Sequence, residues 1–521
     1  MTEEKLLDLI KQRSSKASHD MSMNYDNLDR CYQLIYGRDF YNERNSTRTS
    51  LDSQIYEKYD DTATRSAFKY SKELVNTLVP PFIQWGKLVV SKQHIRNNNI
   101  TDKKLLKQLD DFFIDMTNIV FEHIHASNFS LEMGKSLLEM AISTGVLVVE
   151  ENQDESSPSS LNFRSIPLSQ VSLEQSNSSI IENVFRNFKV KKADLINMWN
   201  GRFYKNFPNK KDTDDITLIE GCIKFDKSLE KGKQYLNFIV YEKDNRYNFL
   251  YKDLSNLSSW TVFREFTLPN ETLGYGRGLQ GIPSIAMLNY LVLVSIRQYD
   301  ITSINMYTYN DSSPINENMI TPEPWKILSV EGTLDPVGYN TVNVQITNQA
   351  IERYQGLVKD MFVTNVLGNI DTVSARTATE INARRQEASI NMLDVSSNLH
   401  IELFDKLFRK IIAILIKAGK LTLPENLDIM DIQVISPLTR EQSKAQLSKL
   451  QQVLDYTMTY APEDYRYAIN TNQLPSDFSK LLDMNIPNII RSEEEIQEIK
   501  QEEIELMQEQ MAMQQQQQNQ Q

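Results

Sequence analysis

The spacing of apolar residues changes twice along this chain, and those two changes constrain its fold more than any motif does. Up to about Met140 the apolar positions recur at helical spacing, as in LLDLIKQ, MNYDNLDRCYQLIYG and TRSAFKYSKELVNTL. The third segment stops at Pro80-Pro81, because proline has no amide to donate and restricts the residue before it. In VPPFIQWGKLVV, which follows, Trp85 is expected to anchor a core. Leu105–Met140 predicts two more helices, broken near Ala126–Ser130. The period then becomes two. Gly145–Glu151, Leu161–Ile166, Asn183–Val190, Ile216–Phe225, Tyr235–Tyr241 and Thr261–Phe266 read as strands between polar turns, with a helical ADLINMWNG among them. From Ile282 to about Met306 the helical period returns, with an apolar face through Ile285, Leu288, Val292, Ile296 and Tyr299. Blocks of helices, strands and helices, without βαβ alternation, predict an α+β fold with a mostly antiparallel sheet.

Beyond that helix, YTYNDSSPINENMITPEPWKILSVEGTLDPVGYN carries prolines at 314, 322, 324 and 336 and reads as a compact strand-and-turn module. A second helix is predicted over Ile346–Leu367, then a loop, GNIDTVSART. Thr377-Ala378-Thr379-Glu380 fits a capping box, in which a hydroxyl and a carboxylate satisfy free amides at a helix start. The helix it opens has Met392, Leu399, Leu403, Leu407, Ile411 and Leu415 as its buried stripe and ends at Ala418-Gly419-Lys420, before Pro424. IQVIS reads as a strand, residues 438–490 as short helices, and the C-terminal segment as an acidic helix running into a glutamine tract.

At 521 residues the chain predicts two to four structural units, taking about 150 residues for each. A net charge of −13 argues against coating DNA through an overall basic surface but does not exclude a protein past which DNA slides without sticking. Cys31 and Cys222 alone build neither a disulfide framework nor a zinc cluster, which predicts an intracellular protein. The acidic N-terminus MTEEKLLDLI does not read as a secretory leader. The longest uncharged apolar run, Ile282–Ile296, is interrupted by Pro283, Ser284 and Asn289 and is too short to span a bilayer.

Several motifs mimic chemistry without its context. Gly276, Gly278 and Gly281 spell the dinucleotide fingerprint G-x-G-x-x-G. That fingerprint needs a strand directly before it and an acid about 20 residues on, at the end of a second strand. Pro269–Thr272 separates the loop from its strand, and Asp300, at the right distance, falls inside a helix. The glycines are therefore expected to allow a tight turn from sheet to helix. Gly134-Lys135-Ser136 imitates a P-loop, but Phe129 stands where its first glycine belongs. His123 and His125 do not share a helix face, and His19, His94 and His400 are scattered, so no metal site is expected. No nucleophile–base arrangement stands out, and the basic Lys189–Lys192 segment reads as a solvated face. The expectation is a protein with no cofactor and no catalysis. The other readings weighed are a nucleotide enzyme using the 276–281 loop and a soluble helical adaptor binding through its acidic tail.

Three segments occur in order with the right elements between them: ELVNTLVPPFIQWGKL, GYGRGLQGIPSIAMLNYL before the first long helix, and TATEINARRQEA opening the very long one. Together they resemble the portal protein, or head-to-tail connector, of short-tailed bacteriophages, from about Tyr25 to the tail. Gly86 departs from the family, which tends to carry an aromatic after the tryptophan. The resemblance implies a wing over residues 1–278 and 378–437, stem helices at 279–306 and 346–367, and a clip at 307–345. It further implies a tunnel loop at 368–377, a crown at 438–495 and a tail at 496–521. It implies a ring of about twelve copies at one capsid vertex of the virion, assembled in the host cytoplasm, through which double-stranded DNA is packaged and ejected. Its expected partners are the terminase large subunit, scaffolding and major capsid proteins and a tail adaptor protein, with no membrane. Asn369, Asp371, Thr372, Val373, Ser374 and Arg376 would line the channel. Glu323, Trp325 and Lys326 would meet the motor and tail, and Gly274, Gly276 and Gly278 would form the wing-to-stem turn.

Overall fold

The computed structural model describes residues 3–40, 58–91, 103–152, 157–175, 180–196, 198–225, 233–243, 246–303, 341–362, 398–421, 430–434 and 449–456. It also describes the isolated positions 96, 447 and 459 and the pairs 307–308 and 335–336. Residues Met1–Val434 make one compact unit and Ile435–Gln521 a second, of which residues 449–456 are helical.

Helices α1 (Glu3–Ser22), α2 (Tyr25–Tyr36), α3 (Thr62–Leu78), α4 (Lys103–His125) and α5 (Phe129–Ile142) open the first unit, with strand β1 (Gly86–Val90) between α3 and α4. The end of α3 before the proline pair and the break between α4 and α5 fall where the sequence places them. The break has a physical cause. The Asn128 side chain accepts from the Phe163 amide at 2.9 Å and donates to the Phe163 carbonyl at 2.8 Å, so an Asn amide takes the place of a strand partner.

All the strand pairs described are antiparallel. A three-stranded sheet has the order β3 (Leu161–Ser165), β2 (Thr144–Glu151), β9 (Trp260–Arg264). A five-stranded sheet runs β4 (Val171–Gln175), β5 (Ile181–Lys191), β6 (Asp215–Lys224), β7 (Tyr235–Lys243), β8 (Arg246–Ser255). The predicted strands are present, and β1, β4 and β8 are additional. ADLINMWNG is not a regular helix but a series of short 3₁₀ turns starting at Lys192 and at Trp199.

Trp85 is the centre of the core, as expected. Its ring lies 4.9–5.6 Å from those of Phe121, Phe129, Phe404 and Phe408, an aromatic cage drawn from three distant parts of the chain. A Cβ at Gly86 would lie 2.7 Å from the Phe408 ring. The Phe408 ring thus occupies the space into which a side chain at residue 86 would extend. On the five-stranded sheet, α1 lays Leu6, Ile10 and Ala17 against Phe185, Ile219 and Phe238.

Helices α6 (Arg277–Ser303) and α7 (Thr341–Met361) form an antiparallel hairpin that packs on α2 and α3. Each begins five residues before its expected start. The segment between them contributes strand β10 (Tyr307–Thr308), which pairs with strand β11 (Asp335–Pro336). On α6, Ile285 and Leu288 are buried, while Ile296 and Tyr299, on the same predicted face, are 41% and 49% exposed. Periodicity identifies an apolar face without saying what covers it. The longer helix also changes one expectation. Its first 24 residues, Arg277–Asp300, are long and apolar enough to cross a membrane by length and composition alone. Asn289 nonetheless fastens the helix to the body, its Oδ1 accepting from the amides of Tyr59 at 2.7 Å and Asp60 at 3.3 Å.

A π-helical turn at His400–Phe404 leads into α8 (Asp405–Lys417). The expected stripe of Leu399, Leu403, Leu407, Ile411 and Leu415 is buried. Met392 and the capping box at 377–380 lie outside the described residues. Helix α8 ends at the predicted place, with Gly419 in the left-handed region at φ +70°. Strand β12 (Met430–Val434) then pairs with β1.

Candidate functional site

The glycine-rich segment carries the chain from β9 into α6. The reversal itself is made at Asn270, at φ +65°, a residue that tolerates left-handed backbone. Gly274, Gly276 and Gly278 do not have positive φ, and Gly278 and Gly281 lie within the helix. The tight-turn expectation is corrected accordingly: these glycines serve close approach. A Cβ on Gly274 would sit 2.3 Å from the Ser143 carbonyl oxygen, and one on Gly276 2.4 Å from that of Ile142. The α5–β2 junction thus lies directly against the segment. It is stitched there by Ser143 Oγ donating to the Gly274 carbonyl at 2.7 Å and by the Gly274 amide donating to Thr144 Oγ1 at 2.9 Å. Main chain fills the side on which a nucleotide phosphate would need to approach.

Two ion pairs lock this junction. Arg264, almost fully buried, donates its Nε to Glu402 Oε1 at 3.1 Å and Nη1 to the Thr272 carbonyl at 3.0 Å, while its backbone amide donates to Glu402 Oε2 at 2.9 Å. The adjacent Glu265 is wholly buried, and its Oε1 accepts from Tyr70 Oη at 2.8 Å and Arg277 Nε at 2.6 Å. Arg277 stands 4.8 Å over the Tyr70 ring and donates Nη1 to the Met361 carbonyl at 2.9 Å. Burial pushes the Glu265 carboxyl above the ordinary carboxylate range, against the pull of Arg277. Its Oε2 has no hydrogen-bond partner among the described residues. The start of α6, the end of α7, α3, β9 and the turn before α8 all meet here.

A second charged cluster joins the two sheets. Arg164 of β3 and Arg186 of β5 converge on Glu220 of β6, and Arg164 also reaches Glu150 at 2.8 Å. Arg186 Nε donates to Gln170 Oε1 at 2.9 Å. Burial would raise the Glu220 carboxyl, but the two guanidiniums outweigh it and hold it below the ordinary range. Every charge in this cluster is occupied by another, which makes it a clamp between sheets.

The remaining chemistry is sparse. Gly134, Lys135 and Ser136 lie within α5, where Lys135 pairs with Glu132 and Ser136 Oγ donates to the Val146 carbonyl. Both cysteines are buried, and burial pushes the Cys222 thiol up to about 12, far from a reactive thiolate. Among the described residues no group of three His, Cys, Asp or Glu side chains could hold a metal ion. A cavity of about 500 Å³ between α1 and the five-stranded sheet is lined by polar side chains, among them Ser14, Ser18, His19, Asn187, Thr217 and Glu242.

Of the expected site residues, Gly274, Gly276 and Gly278 come together at the junction. Asn369, Asp371, Thr372, Val373, Ser374 and Arg376 lie outside the described residues, as do Glu323, Trp325 and Lys326. Sequence reasoning missed Arg264, Glu265, Arg277 and Glu402. Only the adjacency of arginine and glutamate in FREF, beside a glycine-rich segment, hints at them. The family described as bacteriophage head to tail connecting protein matches residues 7–485, nearly the whole chain. No curated protein matches it.

Proposed function

The chain belongs to the bacteriophage head-to-tail connecting protein family, a structural family with a portal role in the phage head. On that premise we propose that it forms the portal ring of the capsid, a closed circle of about twelve copies. Double-stranded DNA passes through its centre during packaging and ejection. The two-sheet body is the wing and the α6–α7 hairpin the stem. The 307–345 segment is the clip, where Glu323, Trp325 and Lys326 meet first the terminase large subunit and then a tail adaptor. Residues 438–495 form the crown. Scaffolding and major capsid proteins surround the ring in the assembling head.

The observation that carries the ring is the uncovered apolar surface of the hairpin. Helix α6 combines membrane-like apolarity with little burial inside the chain, and Met287, Tyr290, Ile346 and Leu357 are exposed large apolar side chains. A water-soluble chain gains by covering such a surface with copies of itself. The net charge of −13 lets DNA move through without being held. Electron microscopy of the purified protein is the test: rings with a central hole are expected, and a strictly monomeric chain at high concentration would contradict the reading. Insertion into lipid vesicles would assign α6 to a membrane instead.

The loop at 368–377 is proposed to line the channel with Asn369, Asp371, Thr372, Val373, Ser374 and Arg376. Its charges are Asp371 and Arg376, so it touches phosphates without gripping them. Asp371→Lys repeats an added cation in every copy, and each phosphate contact contributes a salt-sensitive term. Rings are expected to form normally, with less DNA packaged per particle, most clearly at low salt. Unchanged packaging at all salt concentrations would remove this loop from the channel.

A further inference from the structure

Gly356 stands inside α7, five residues before its last residue, Met361. It is not in the left-handed region, and a Cβ built on it would meet nothing within 4 Å. Glycine in a helix interior destabilises the helix relative to alanine, so a glycine here gains the single chain nothing. The contrast is with Gly274 and Gly276, where backbone carbonyls of the same chain stand in the way of a side chain.

The position of Gly356 on the helix is informative. Val358, Ile351, Tyr354 and Met361 mark the face of α7 packed on the core. At 100° per residue Gly356 lies on the opposite side, facing out of the molecule. Across the hairpin, a Cβ on Gly281 would meet Met361 Sδ, and Asn348 Nδ2 lies 3.4 Å from Tyr299 Oη. Between these two contacts the helices run antiparallel, which sets Gly356 level with the stretch from Met287 to Tyr290. Met287 and Tyr290 in turn lie on the outward stripe of α6, with Pro283 one turn before them, and Tyr290 is 59% exposed.

We infer that Gly356 is a recess for the next copy of this chain, seating Tyr290 of the adjacent α6. The inference rests on the ring reading. In a ring whose axis runs along the hairpin, rotation preserves height, so the large side chain on α6 of one copy would arrive opposite the small one on α7 of its neighbour. Exposed apolar groups lie at that level on both helices, Met287 and Tyr290 on α6 and Leu357 on α7, while exposed Glu352, Arg353 and Asp360 flank Gly356 within one turn, where a tyrosine hydroxyl finds polar neighbours. The contact is heterologous, the kind that closes into a ring. A knob on one helix and a hole on the other also fixes the register between copies, which two smooth apolar faces would leave free to slide.

Gly356→Ala separates the two levels at which a residue acts. In the isolated chain the new methyl group occupies open space and favours the helix, so the folding equilibrium constant should rise roughly fivefold. In the ring the same methyl group fills the recess, so the concentration at half assembly should rise tenfold or more, the scale of an overpacked contact. Folding is read by denaturation at concentrations below assembly, and assembly by mass photometry across concentration. Tyr290→Ala should weaken assembly in the wild-type background and cost little more in the Gly356→Ala background, because the two substitutions remove one contact. Rings of equal stability with and without the methyl group would overturn this inference and leave the ring reading standing. So would fully additive losses in the double variant. An unsubstituted chain that never assembles would overturn both.

Discussion

The two-sheet body and the α6–α7 hairpin handle their side chains in opposite ways. In the body, interior charges meet counter-charges: Glu220 lies between Arg164 and Arg186, and Arg264 is paired with Glu402. Its largest aromatic, Trp85, is enclosed by four phenylalanines of the same chain. The hairpin presents Met287, Tyr290, Ile346 and Leu357 to the outside. On the ring reading proposed above, the hairpin is half of an interface that a neighbouring copy completes. Substitutions in the two regions should therefore be read by different assays.

The largest effect is expected in the body. Glu220→Ala removes the common partner of two buried guanidiniums and leaves them uncompensated, which costs about 3–5 kcal/mol. Chemical denaturation measures it, and a loss under 1 kcal/mol would mean the cluster is not a clamp. Next comes Gly276→Ala, whose Cβ has the Ile142 carbonyl oxygen at 2.4 Å. The main chain there must shift, at a cost of about 1–3 kcal/mol. The same exchange at Gly356 stabilises the single chain, so one substitution type should change sign between the two regions.

The hairpin should respond in the other assay. Met287→Glu is expected to change single-chain stability by no more than about 0.5 kcal/mol, as an exposed position does. In sedimentation it should abolish rings, because the carboxylate would be buried between copies. A large loss of single-chain stability would show that the hairpin face is covered from within.

The smallest effect concerns pH. Burial lifts the Glu265 carboxyl above its ordinary value of 4.5, so the folded chain keeps that proton to higher pH than the unfolded chain does. Its contribution to stability is full at low pH and falls as pH rises from about 4.5 through the folded value. The stability of the wild type minus that of Glu265→Gln should accordingly decline over that interval. A flat difference would show that Arg277 cancels the burial effect.

How much of this was legible in the sequence follows from how local each feature is. Helix ends at Pro80-Pro81 and at Gly419 were legible because proline and glycine act on their own backbone. Trp85 and the stripe from Leu399 to Leu415 were legible as large apolar groups in strong patterns. Strand β8 was not. Its residues are half-exposed on both faces, so alternation is weak where an edge strand sees solvent. Nor was the pairing of β1 with β12, since Leu88 and Ile432 meet across most of the chain. The clamp around Glu220 draws single residues from four strands and a turn, none remarkable in its own segment. The glycine segment was legible as special, but for the wrong reason. Its constraint comes from Ile142 and Ser143, more than 130 residues away.

Hydrogen exchange, followed separately in dispersed chains and in assembled rings, tests the contrast most directly. Strands β5 to β7, central in the larger sheet, should be protected equally in both states. The amides of α6 and α7 from Met287 to Tyr299 and from Ile346 to Leu357 should exchange fast in the dispersed chain and slow by at least tenfold in the ring, the change that about 1.4 kcal/mol of added local stability produces. Equal protection of the hairpin in the two states would contradict the claim that it is completed only by a neighbouring copy.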